Sequence, residues 1–222
     1  MSLDRREPAD AQREPIFNAP WPAVAVALVI LGGYALQSLG PDRHTILRWG
    51  FSPIGSFATG HWETLVTAIF LHGSWTHAAM NAAFGLAFAT PVARLYGLTA
   101  RGLLAFLLLY LAVGVIGNLG FGLIHPREIG PVIGASGAIS GLAAAGARIV
   151  AGQGRRVGPI NSPLVVGMGG GWIITNLLVA ILGFAPGAGT ATVAWEVHLI
   201  GFAAGLFLVK PLAQLANPAI AD

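Results

Sequence analysis

The sequence predicts an all-α membrane protein, a bundle of six transmembrane helices with a membrane-associated first outer loop. Composition is the first observation: 55% of the 222 residues are apolar and 9% are charged, against roughly 25% charged in a soluble domain. The second is length, since the apolar residues fall in six runs near the about 20 residues that a spanning helix needs. The third is placement, because the polar residues with chemical potential recur at the starts of alternate runs. The net charge of +3 rests on only 12 basic and 9 acidic side chains and gives no reason to expect a nucleic-acid partner. With no cysteine, a disulfide framework, a thiol nucleophile and a Cys-ligated metal are all excluded.

The runs are Trp21–Leu39, ended by Gly40-Pro41, then Ser74–Tyr96, Gly102–Ile124, the shorter Gly134–Val150, Leu164–Phe184 and Ala194–Leu215. The segment 41–73 differs, mixing charge, aromatics and turns before a twelve-residue apolar piece, His61–His72. That piece is too short to span, so it is expected to lie at the interface or to re-enter partway. Residues 1–19 are polar and mixed in sign and read as a disordered cytosolic tail. Residues 20–216 form the helical domain, and 217–222 a short C-terminal tail. Nine of the twelve basic residues fall on one side of this layout, namely Arg5, Arg6, Arg13, Arg94, Arg101, Arg148, Arg155, Arg156 and Lys210. By the positive-inside rule both termini are cytoplasmic.

Parity then aligns the chemistry. Spans two, four and six all run from outside to inside, so their N-terminal ends share the outer side. His77 is in the first turn of span two, Ser136 in that of span four, and His198 near the start of span six. Three polar residues from distant parts of the chain meet at one depth.

A serine in an apolar helix usually back-bonds to a carbonyl or packs as a small residue. Ser136 differs by its position, because the first N–H groups of a helix are unpaired and point outward from its N-terminus. Gly134 has no side chain and Ala135 a small one, so a carbonyl could approach those donors closely. A histidine inside a span is costly unless paired or wetted, which makes His198 a functional candidate. Gly201 and Gly205 follow it on the same face, and span four carries its own stripe of Ser136, Gly137, Ser140 and Gly141. Two such faces allow backbones to approach, as a Ser–His hydrogen bond between helices requires. Glu196 lies about 200° around the helix from His198, so no carboxylate is placed as a third member and a base oriented by packing is expected. His77 and Asn81, four apart on one face, bring donors toward the serine. No His-Glu-x-x-His pattern is present and no metal is expected.

The stretches His72-Gly-Ser-Trp-Thr-His77-Ala-Ala-Met-Asn81, Gly134-Ala-Ser136-Gly137 and His198-Leu-Ile-Gly201-Phe-Ala-Ala-Gly205 resemble the three signature motifs of rhomboid intramembrane serine proteases. They stand in that family's order, and the loop with Arg48-Trp49 resembles its first outer loop. The resemblance covers roughly residues 20 to 215 and implies a nucleophile at Ser136 and a general base at His198. It further implies an oxyanion hole from His77, Asn81 and the Ser136 N–H, with Gly134 and Ala135 beside it. His72 then matches a position that helps admit water, Gly137, Gly141, Gly201 and Gly205 pack the helices, and span five with its glycine run is a lateral entrance for substrate. Two positions depart from the pattern: Val197 replaces a common alanine, and Ser140 replaces an aromatic on which the histidine ring often packs. Ser140 is expected to leave His198 less firmly held.

The activity implied is hydrolysis of peptide bonds in or beside transmembrane segments of single-span or polytopic membrane-protein substrates. Neither metal nor cofactor is called for. The expected partners are such substrates and the lipid bilayer, in the plasma membrane of a bacterium, with the oligomeric state open. The alternatives are a catalytically weak, rhomboid-like client-binding protein, which would not need both Ser136 and His198, and a transporter or channel, which would place ionisable residues deep in several spans.

Overall fold

The computed structural model describes residues 18–40, 47–182 and 193–218. In chain order its helices are α1 (Trp21–Leu39), α2 (Pro53–Thr59), α3 (Thr64–Thr67) with a 3₁₀ turn at Ala68–Phe70, α4 (Trp75–Tyr96), α5 (Ala100–Ile124), α6 (Ser136–Ala151), α7 (Pro163–Leu182) and α8 (Trp195–Ala216). The six long helices match the six predicted runs within two residues wherever both ends are described. The predicted N-terminal tail lies almost wholly outside the described residues. Helices α1, α5, α7 and α8 are long and apolar enough to cross a membrane. Helix α4 has the length, at 22 residues, but Thr76, His77, Asn81, Thr90 and Arg94 dilute its apolarity. Helix α6 is apolar but only 16 residues long.

Local chemistry sets several starts. Ser74 caps α4 by accepting from the His77 N–H at 3.1 Å, which fixes the turn that carries His77. Thr99 caps α5 in the same way through Gly102 at 3.1 Å. The piece 61–72 forms no spanning helix. Its Leu65, Ala68 and Ile69 are buried, and Asn118 of α5 donates to the Leu65 carbonyl at 2.9 Å. The outer segments are also tied to each other. Phe51 and Val132 form an antiparallel bridge, and the Gly134 N–H donates to the Ala68 carbonyl at 2.9 Å. The segment leading into α6 is thereby held by the loop that precedes α4.

Helix α6 is the centre of the bundle. Thirteen of its sixteen residues are buried, and it packs against α4, α5, α7 and α8. Its Ala and Gly side chains permit that, because small residues let helix backbones approach where lipid supplies no hydrophobic drive for association. The closest approach is to α8. A Cβ on Gly201 would run into the Gly137 carbonyl oxygen, and one on Gly205 into the Gly141 carbonyl oxygen. Helix α5 completes the seat: a Cβ on Gly117 would meet the Val197 carbonyl at 2.9 Å, and one on Gly120 the Ile200 side chain. Val197 fills the slot between Gly117 and Gly137 and is buried, so the larger side chain at this position is accommodated.

At the other end, Arg148 is buried in the last turn of α6. Its Nε donates to the Gly158 carbonyl at 2.8 Å, and its guanidinium also reaches the Leu206 carbonyl of α8. Tyr96 of α4 donates to the Val209 carbonyl at 2.9 Å. Helix α7 contrasts with all of these, since among its twenty residues only Val165 and Asn176 are buried.

Gly205→Val should cost about 1–3 kcal/mol through overpacking and lower the thermal unfolding midpoint in detergent. Gly167→Ala, where an added Cβ meets nothing within 4 Å, should be neutral or should stabilise by up to about 1 kcal/mol. The same measurement compares the two.

Candidate active site

Ser136 is the first residue of α6 and His198 lies in the first turn of α8. The glycine seat brings their side chains together, with His198 Nε2 2.7 Å from Ser136 Oγ. A neutral imidazole nitrogen with a free lone pair there can take the hydroxyl proton as the oxygen attacks.

His77 approaches from α4. The Gly73 N–H, which can only donate, points at His77 Nδ1 at 3.4 Å. That arrangement leaves the ring proton on Nε2. A Cβ placed on Gly134 would sit 3.0 Å from this Nε2 and 3.7 Å from Ser136 Oγ. The His77 ring and the serine hydroxyl therefore both border the space left by the missing Gly134 side chain. Gly134 also has φ +128, a conformation open to glycine and strained for other residues, so two independent constraints require glycine here. Ala135 is the residue just before the helix and is fully buried.

Asn81 is one turn further along α4 and buried, and its amide donates to the His77 carbonyl at 3.1 Å. It braces the turn that carries His77. His72 is fully buried, its ring edge-on to that of His77 with centroids 5.1 Å apart. Gln37 of α1 clasps its backbone, accepting from the His72 N–H at 3.1 Å and donating to the His72 carbonyl. Neither ring nitrogen of His72 has a hydrogen-bond partner of normal geometry among the described residues. Burial, with His77 beside it, pushes the His72 pKa down to about 4, so the ring is neutral near pH 7.

Ser140 is buried one turn below the nucleophile, and its hydroxyl donates to the Ser136 carbonyl at 2.7 Å. The expectation of a loosely held His198, oriented by packing alone, needs correcting. His198 Nδ1 lies 2.7 Å from Oδ1 of Asn176 on α7, so both ring nitrogens are engaged. Sequence reasoning passed over Asn176. The signal for it was a lone amide in the middle of an apolar helix, which is expensive in lipid unless partnered. Glu196 turns away from His198, as its position on the helix predicts, and pairs with His125 at the end of α5 at 2.8 Å.

The model of the Rhomboid domain matches residues 59–214, a span that holds all three motifs, and the chain belongs to the rhomboid family. It is a multi-pass membrane protein of that family. Among its relatives is the candidate rhomboid protease YdcA of Bacillus subtilis (strain 168), 38% identical over 102 residues, or 45% of this chain and 48% of YdcA. Another is the rhomboid protease GluP of the same organism, 36% identical over 118 residues, or 52% of this chain and 22% of GluP. The matched region thus spans about half of the first relative and about a fifth of the second.

Gly134→Ala should displace the His77 ring and slow labelling of Ser136 by a fluorophosphonate by on the order of 10², measured as the rate of adduct formation. Glu196→Gln should lower stability by less than about 1 kcal/mol and leave that rate within about threefold of wild type.

Proposed function

We propose that the chain is an intramembrane serine endopeptidase that cleaves peptide bonds in or beside the transmembrane segments of other membrane proteins. The observation that carries this reading is the 2.7 Å contact between Ser136 Oγ and His198 Nε2 at the start of two apolar helices. Ser136 Oγ attacks the scissile carbonyl while His198 Nε2 takes its proton. The negative charge on the former carbonyl oxygen is met by His77 Nε2–H and by the unpaired N–H groups of the first turn of α6. Asn81 serves that hole by holding the His77 turn. The imidazolium then gives its proton to the leaving amine as the C–N bond breaks, which leaves an ester on Ser136. Water, deprotonated by the same imidazole, hydrolyses the ester and restores the serine. The ring nitrogens of His72, which have no hydrogen-bond partner of normal geometry among the described residues, suit it to hold such a water near His77.

Depth follows from length. Helix α6, with 16 residues, is roughly 24 Å long, which is less than the about 30 Å hydrocarbon layer. With its basic C-terminal end at one face, Ser136 lies below the other, and its substrate must be a segment at that depth. A helix keeps its carbonyls bonded internally, so the substrate must unwind locally, and small or helix-breaking residues near the cut favour that. Both termini facing the cytoplasm, a bacterial plasma membrane and a peptidase domain over residues 20–216 belong to the same proposal. They are supported by the distribution of basic residues and by the bacterial relatives.

In detergent, wild type should cleave a model single-span protein whose N-terminus faces outward. Ser136→Ala and His198→Ala should each reduce cleavage by about 10³ or more. Equal cleavage by all three, followed on a gel with mass-spectrometric mapping of the cut, would contradict the proposal.

A further inference from the structure

Asn176 is one of the two buried residues of α7, and it contacts the ring of His198. We propose that Asn176 is a positioning residue that fixes the tautomer of His198, so that the working unit is Ser136–His198–Asn176; this rests on the serine-peptidase reading above.

The two ends of the Asn176 amide can be told apart by their partners. One end lies 2.8 Å from the Trp172 carbonyl of the preceding turn, and a carbonyl can only accept, so this end is the NH₂ group. The other end, Oδ1, then faces His198 Nδ1 at 2.7 Å. An amide oxygen also can only accept, so Nδ1 carries the ring proton. In a neutral imidazole that leaves Nε2 with its lone pair toward Ser136 Oγ at 2.7 Å, and the serine is the donor. The direction of proton transfer at the nucleophile is thus set by a backbone carbonyl on a different helix.

The opposite tautomer would set two lone pairs against each other at Nδ1 and Oδ1. It would also place a proton, instead of a base, before Ser136. When His198 takes the serine proton at Nε2, the Nδ1–H bond to Asn176 persists and strengthens, since its donor is now charged. No proton passes to the amide. Its oxygen dipole stabilises the imidazolium, the part that a carboxylate plays in a Ser-His-Asp triad and an asparagine in Cys-His-Asn enzymes.

Trp172 is itself held. Its ring stacks on Phe202 of α8, with centroids 5.9 Å apart and planes at 22°, and meets Phe88 of α4 edge-on at 6.2 Å. These rings fix the turn whose carbonyl orients Asn176. The hydrogen bond of Ser140 goes to the Ser136 carbonyl. Among the described residues, then, Asn176 is the partner that orients the far side of the imidazole.

The test uses the full chain and the model single-span substrate, with kcat and KM measured separately. Asn176→Leu, which lacks an acceptor, should lower kcat by on the order of 10² and change KM by less than about threefold. Asn176→Asp keeps an acceptor and should retain at least about ten times the kcat of the leucine variant. A purely structural role predicts the reverse order, because leucine suits a lipid-facing helix and a carboxylate does not; that order, or a leucine variant equal to wild type in kcat, overturns the proposal. A second measurement does not depend on turnover. In Ser136→Ala protein carrying ¹⁵N-histidine, the His198 signal, assigned by its loss on adding His198→Ala, should report a proton on Nδ1. A proton on Nε2 overturns the proposal even if the Asn176 variants fold poorly. If wild type fails to cleave, or Ser136→Ala cleaves equally well, the peptidase reading fails, while the nitrogen spectrum still decides the tautomer.

Discussion

Everything at the site depends on how closely the backbones of α6 and α8 approach. Gly201 lies against the Gly137 carbonyl and Gly205 against the Gly141 carbonyl, with no room for a Cβ at either contact. This sets the separation of the two helices and therefore the reach from Ser136 to His198. Between helices in lipid, association rests on van der Waals packing and polar contacts, because the acyl chains compete as apolar partners. A glycine-lined seat supplies that packing over a long contact, and α5 extends it through Gly117 and Gly120. A hydroxyl and an imidazole on two different helices are thus held 2.7 Å apart.

The polar groups of the site meet the cost of a low-dielectric setting in a common way. Asn81 donates to the carbonyl of His77, Ser140 to that of Ser136 and Asn176 to that of Trp172. Each bond runs to the residue four positions earlier on the same helix. It satisfies one polar atom locally and orients the rest of the side chain. For Asn176 the remaining atom is the oxygen that meets His198. For Ser140 the bond braces the turn of the nucleophile, and for Asn81 it braces the turn of His77. The outer loop contributes through the backbone, where the bond from Gly134 to Ala68 steadies the approach to Ser136 beside the His77 ring.

Much of this was legible in the sequence, for identifiable reasons. One helix end was written in local chemistry, with Gly40-Pro41 after α1, whereas the caps at Ser74 and Thr99 emerged from the structure. The convergence of His77, Ser136 and His198 followed from counting spans, and the packing from glycines at positions i+3 and i+7 after His198. What escaped was whatever depends on the rotation of one helix against another. Asn176 is a lone amide in an otherwise apolar run, and only the docking of α7 shows which way it points. Gly117 and Gly120 look like ordinary glycines in a spanning helix until Val197 and Ile200 are seen to need the space. The clasp of Gln37 on the His72 backbone joins residues 35 apart, with no periodicity to announce it. The short α2 was hidden because seven residues leave too little pattern to read.

The most direct test of the account is to treat the purified protein with a fluorophosphonate and locate the adduct by peptide mass spectrometry, in wild type and in His198→Ala. The account predicts a single adduct on Ser136 in wild type, with labelling slowed by about 10² or more when the imidazole is removed. An adduct elsewhere, or labelling of Ser136 at the same rate without His198, would mean that the contact between the two helices does not activate the serine.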